Sequence, residues 1–156
     1  MKEKKLRTQI INPMTDELKT DKEEDADELF QQHIEAQCKR LRTLGFTGTP
    51  IIRGNLNAMD KSLLPSLQTV CTEILNNIAK HGKPGAFAFI LSVGPDAVRI
   101  FASNLYNAAI NSAPENHYGT ALIQDFAQQH NGTMTINSEN EEWSLSLAIP
   151  LTHQTH

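Results

Sequence analysis

Leu67, Val70, Cys71, Ile74 and Ile78 recur at steps of three and four residues, the repeat of a single helix face. This stripe constrains the chain more than any other feature. It predicts a helix over roughly 61–81 that must lie with one side on a core, stopped by Gly82 and Pro84. A second pattern occupies the neighbouring face. Glu73 and Asn77 are four apart and so sit one turn above each other, and Lys80 and His81 follow one turn later. Such a row can handle a metal-bound phosphate. A carboxylate can polarise or deprotonate an attacking hydroxyl or water. An amide oxygen is a hard ligand for Mg²⁺, which keeps several waters and phosphate oxygens of its own. A solvated helix face with a chance glutamate and asparagine would read the same locally.

The flanking segments set the architecture. Residues 1–25 are rich in Lys, Glu and Asp and nearly free of aromatics, which predicts a mobile charged leader or the frayed end of a helix. A helix is predicted over 26–44, with Leu29, Phe30, Ile34, Cys38 and Leu41 as its stripe and Gly45 as its stop. Residues 46–53 read as a strand with an early proline, hence an edge or end position. Residues 86–93 and 97–103 are two strands joined by Gly94-Pro95-Asp96, a hairpin. A polar loop over 104–118 precedes a helix over 119–130 that closes on Asn131-Gly132. Strands over 133–138 and 143–151 form a second hairpin, in which Ser144, Ser146 and Ala148 alternate with Leu145, Leu147 and Ile149. Residues 152–156 are a loose tail. Hairpins separated by single helices predict an α+β, two-layer sandwich: a mixed, mostly antiparallel sheet with helices on one face. The domain would span 26–151.

Composition excludes several classes. The net charge is −4, without the basic footprint of a nucleic-acid binder. The two cysteines, Cys38 and Cys71, both fall in helical apolar patterns and are expected as buried thiols in a reducing compartment. No apolar run reaches membrane-spanning length and no signal peptide opens the sequence. The chain is therefore expected to be cytoplasmic and to make no membrane contact itself, which leaves open a membrane-anchored parent. The six histidines show no metal-ligand spacing.

Two further constellations carry chemistry. Gly119-Thr120-Ala121-Leu122 opens a helix directly. Free N–H groups at a helix start favour an anion, and glycine lets it approach the backbone. An ordinary glycine turn is the alternative. Asn104-Leu105-Tyr106-Asn107-Ala108 follows a strand, where a polar residue facing a pocket could pair with an adenine amino group. An asparagine-rich turn is the alternative.

The order and spacing of these segments resemble the ATP-binding catalytic domain of two-component sensor histidine kinases. That domain belongs to the superfamily shared with gyrase B, the ninety-kilodalton bacterial chaperone and MutL, whose architecture is the Bergerat-type ATPase fold. The segment from Thr72 to Gly82 is similar to the N box of the subfamily whose partners are response regulators of NarL type. Gly119-Thr-Ala-Leu122 with Ala127-Gln-Gln-His-Asn-Gly-Thr133 resembles its second glycine box, and 143–151 its closing strand. The resemblance implies ATP and Mg²⁺ as ligands, with a histidine on the parent kinase's dimerisation helix as phosphoacceptor. It implies Glu73 as catalytic base, Asn77 as Mg²⁺ ligand, and Lys80 and His81 toward the phosphates. Gly119, Thr120, Ala121 and Leu122 would cradle phosphate, Ser144 would lie near adenine, and residues 110–118 would be the lid.

The departures from the family pattern lie at one end. Its first glycine box reads Asp-x-Gly-x-Gly, and the matching positions here are Asn104, Tyr106 and Ala108. Asn104 can still accept from an adenine amino group, without the charge that makes such bonds roughly twice as strong. Tyr106 and Ala108 would take positive φ at about 1–2 kcal/mol each. The loop therefore follows another path, or Tyr106 partly fills the adenine pocket. Ala121 also stands where a glycine is usual. No Arg-x-x-His-Asp phosphoacceptor motif occurs, and His33 sits in Gln-Gln-His-Ile-Glu. The expected function is thus the ATP–Mg²⁺-binding domain of a histidine kinase with weakened or altered nucleotide binding. The alternatives are a stand-alone serine kinase of the anti-sigma-factor type and a non-catalytic protein-binding module.

Overall fold

The computed structural model describes the backbone of residues 14–106 and 120–151, and side chains from residue 26 onward. In chain order the elements are α1 (Met14–Thr43), β1 (Pro50–Gly54), a 3₁₀ turn (Leu56–Ala58), α2 (Leu63–His81), β2 (Gly82–Val93), β3 (Ala97–Tyr106), α3 (Thr120–Gln129), β4 (Thr133–Glu139) and β5 (Glu142–Pro150). One five-stranded sheet has the order β1-β2-β3-β5-β4. β1 runs parallel to β2, and every other neighbouring pair is antiparallel. The architecture is the expected α+β two-layer sandwich, with β1 at an edge.

Period-two burial shows which sheet face carries the helices. Phe87, Phe89, Leu91 and Val93 of β2, Val98, Ile100 and Ala102 of β3, and Trp143, Leu145, Leu147 and Ile149 of β5 are all buried. They meet Phe30, Ile34, Cys38 and Leu41 from α1, the whole predicted stripe of α2, and Ile123, Phe126 and Ala127 from α3. Leu29, expected in the α1 stripe, is instead 62% exposed. One residue before Phe30 turns a side chain about 100° round the helix, off the packed face.

Several boundaries differ from expectation. α1 begins at Met14, inside the stretch expected to be a mobile leader or a frayed helix end. β2 starts at Gly82, with no loop after α2, and β3 continues through Tyr106. Residues 83–86 form a bulge between the Gly82–Tyr106 and Phe87–Asn104 pairs. Thr47 holds this bulge by donating to the Gly85 carbonyl at 2.8 Å and accepting from the Phe87 N–H at 2.9 Å.

The caps follow standard chemistry. α1 ends in a Schellman motif: Phe46 N–H reaches the Leu41 carbonyl, Gly45 N–H reaches that of Arg42, and Gly45 takes φ +99°. α3 ends the same way through Gly132 and Asn131, the latter at φ 58°. The β4–β5 hairpin turns on Asn140 and Glu141, both at positive φ, the two-residue type I′ geometry. Glutamate suits that position poorly, and its 3.7 Å ion pair with Lys83 is exposed and worth little. Glu141→Gly is therefore expected to stabilise the chain by about 1 kcal/mol, seen as a melting temperature a few degrees higher; a lower one would count against the strain.

Cys38 and Cys71 are both buried free thiols. Burial pushes Cys38 up to about 12, with nearby Glu35 adding to the effect and Arg42 opposing it. Burial raises Cys71 as well, and Cys38 adds to it. A folded pKa above the unfolded 9.0 means that the stabilisation is complete below pH 9 and declines as pH rises beyond it. The loss is about 1.4 kcal/mol per pH unit for each thiol. Urea midpoints from pH 8 to 10.5 should fall more steeply for this chain than for Cys38→Ala/Cys71→Ala; equal slopes would refute the assignment.

Candidate functional site

The site is built where α2 runs into the sheet. Glu73 is half-buried, Asn77 is only 2% exposed, Lys80 is exposed, and His81 is half-buried at the last turn. The helix thus brings together the four residues that the i, i+4 spacing selected. Its other flank is tied to α1. Thr72 donates its one hydroxyl hydrogen to the Gln68 carbonyl at 2.8 Å, so it accepts from His33 Nε2–H at 2.7 Å. Arg40 donates to Asn76 Oδ1 at 3.0 Å. These contacts fix the rotation of α2 and leave Glu73, Asn77 and Lys80 on another side.

Asn104 lies on the helix-facing side of β3, 2% exposed. It is strand, where a loop was expected. Its Nδ2 donates to the Leu105 carbonyl at 2.6 Å. Its Oδ1 is buried and has no hydrogen-bond partner among the described residues. An unpaired buried acceptor costs about 1–3 kcal/mol. Phe87 and Trp143 are its register partners on either side. Beside its Nδ2 stands Gly82, where a Cβ would come within 2.5 Å of the Ile78 carbonyl oxygen and collide with Asn104 Nδ2. Only glycine lets the last turn of α2 descend onto Asn104.

Tyr106 follows on the same face, 7% exposed, opposite Gly82. Its N–H donates to the Glu141 carbonyl at 2.9 Å. Its backbone does not adopt the positive φ of a glycine box, since Asn131, Asn140 and Glu141 are the non-glycine residues with positive φ among those described.

The remaining predicted residues divide. Thr120 is half-buried at the start of α3, followed by the exposed Ala121 and Leu122. α3 packs beside α2, the two lining a groove with Ser66, Thr69, Val70, Leu122 and Phe126. Gly119, Ala108 and the expected lid at 110–118 lie outside the described residues. Ser144 is not brought to the site: it pairs with Ser103, and alternation puts it on the sheet face away from the helices. Trp143, fully buried and directly opposite Asn104, takes the position expected of Ser144. The signal was present, because Ser144 shares its parity with Ser146 and Ala148 and Trp143 with the apolar set. No group of three or more His, Cys, Asp or Glu side chains suited to a metal occurs among the described residues, and none of the helices described is long and apolar enough to cross a membrane.

The fold has close counterparts among solved structures. The nucleotide-free catalytic domain of histidine kinase ThkA superposes with a TM-score of 0.61 at 12% identity, covering 81% of this chain and 95% of that one. A second crystal form gives 0.59 at 13% identity, covering 82% and 94%. Acinetobacter baumannii histidine kinase AdeS gives 0.58 at 10% identity, covering 83% of this chain and 65% of that one. No protein-family model matches the sequence, and no curated protein matches it. The chain shares the fold of histidine kinase catalytic domains.

Proposed function

We propose that this chain is the ATP-binding catalytic domain of a two-component sensor histidine kinase, with weakened nucleotide binding. It would present the γ-phosphate of ATP to a phosphoacceptor histidine outside the chain, and its downstream partner would be a response regulator of NarL type. The observation that carries the reading is the buried Asn104 Oδ1, an acceptor with no partner among the described residues, set beneath the end of the Glu73–Asn77 helix. An adenine amino group supplies the missing donor.

The residues present fit the ligands. The Asn104 amide is held by Leu105 with its oxygen free to accept. Asn77 supplies an amide oxygen where a nucleotide-bound Mg²⁺ needs few protein ligands. When bound, Mg²⁺ would neutralise charge developing on the phosphates. Glu73, one turn before Asn77 and half-buried, would orient or take the proton of the attacking group. Lys80 would place positive charge, and His81 a ring that can hydrogen-bond, toward the phosphates. The N-terminus of α3 at Thr120 favours an anion.

Titration with a trinitrophenyl ATP analogue tests the reading. Weak binding that tightens with Mg²⁺ is expected. Asn77→Ala should lose about tenfold in Mg²⁺ and little without it, the worth of one charge-assisted contact. Binding indifferent to Mg²⁺ and to both Asn77→Ala and Asn104→Leu, in variants that still melt cooperatively, would overturn it. A second reading, a protein-binding module without catalysis, is favoured by the burial of Tyr106 beside Asn104. Absence of binding at millimolar nucleotide would select it.

A further inference from the structure

We propose that Tyr106 is a built-in plug of the base pocket, a side chain that must swing out before a nucleobase can reach Asn104. The inference rests on the nucleotide-binding reading above and adds the step that regulates it.

A planar ring could approach Asn104 Oδ1 along β3, from the neighbouring strands or from the α2 end. Along β3 toward the core the next residue on this face is Ala102, fully buried. On the neighbouring strands stand Phe87, 6% exposed, and Trp143, fully buried. On the amide-nitrogen side, a Cβ on Gly82 would already collide with Asn104 Nδ2 and the Ile78 carbonyl oxygen, so no ring enters there. The side left is along the strand toward residue 106. There the chain carries a tyrosine, and its 7% exposure shows that the ring lies down in the layer instead of standing in solvent. A tyrosine side chain buries about 150–250 Å², an area comparable with that of a purine. The plug is anchored at its base by the Tyr106 N–H bond to the Glu141 carbonyl and by pairing with Gly82. The side chain can therefore move while the strand stays. A neutral amide suits such a closed pocket, because a carboxylate sealed under an aromatic ring would lose its hydration.

The test uses the whole chain with the trinitrophenyl ATP analogue and Mg²⁺. Tyr106→Val keeps a strand-forming residue and removes the ring, and should bind at least tenfold more tightly than the parent. Tyr106→Phe keeps the ring and should give no gain. Unchanged or weaker binding by a cooperatively melting Tyr106→Val overturns the plug. If the parent nevertheless binds and Asn77→Ala weakens that binding about tenfold in Mg²⁺, the nucleotide reading stands without the plug. If neither parent nor Tyr106→Val binds, both fall. A second readout does not depend on the valine variant folding. The sequence has two tyrosines, Tyr106 and Tyr118. In a Tyr118→Phe background, nitration of Tyr106 should accelerate severalfold when saturating Mg²⁺–ATP is added. An unchanged or slower rate counts against displacement of the ring.

Discussion

Replacing Trp143 with alanine is expected to lower the stability of the folded chain by about 3–5 kcal/mol. Trp143 is fully buried, in a row that crosses the sheet from Phe87 through Asn104 and Trp143 to Ser138. The core above it is set by three helices, so the hole left by an indole cannot close by moving one of them. Two polar atoms of the row, Asn104 Oδ1 and Ser138 Oγ, are buried without partners among the described residues. A cavity beside them would admit water to Asn104 and recover part of the loss, which places the expectation inside the range rather than at its top. Total stabilities of about 5–15 kcal/mol make this the substitution most capable of unfolding the chain. Urea unfolding followed by circular dichroism measures it, since the variant lacks the protein's one tryptophan. Trp143→Phe should retain more than half of the lost stability. A loss below about 1 kcal/mol for the alanine variant would mean that the row is not packed as described.

What the sequence made legible was periodic. The α2 stripe, the two hairpins and the alternation along β5 each repeat over enough residues to outvote local noise, and each is where expected. The Glu73–Asn77 row follows from the same helix. What failed to show was set by distant partners. Gly82-Lys83-Pro84-Gly85 carries every local mark of a loop, yet Gly82 is strand because Tyr106, far along the chain, pairs with it. Asn104 looked like a turn residue because asparagine favours turns, yet pairing with Phe87 and Trp143 keeps it extended. Ser144 is a different kind of miss. Its parity placed it on the open face, and the resemblance to a family pattern outweighed that physical signal. Leu29 shows the limit of counting apolar residues without their angle, since it lies about 100° round α1 from the buried Phe30 and off the packed side.

Asn104→Asp is expected to destabilise the free protein by about 3–4 kcal/mol at neutral pH, with a pH dependence that identifies the cause. Asn104 is 2% exposed, and its Nδ2 donates to the Leu105 carbonyl at 2.6 Å. A protonated aspartic acid can make the same donation through its O–H. A carboxylate cannot, and would face a carbonyl oxygen after losing its water. The charged form is therefore disfavoured in the fold, and the aspartate's folded pKa is raised above its unfolded value of about 3.9. With that sign, the variant matches the parent most closely below pH 4. The deficit grows from there until the folded group ionises, about 2–3 units higher, and is flat beyond it. Urea midpoints of variant and parent at pH 3.5, 5.5 and 7.5 give the curve, and a difference that does not change with pH would refute it. The same substitution examines the plug. In Asn104→Asp/Tyr106→Val, water reaches the carboxylate, so the double variant should be less destabilised than the sum of the single ones by more than about 1 kcal/mol. Strict additivity would mean that Tyr106 does not seal Asn104. If Tyr106 seals this position, an aspartate here would be left without hydration, and sub-additivity in the double variant is the expected sign of it.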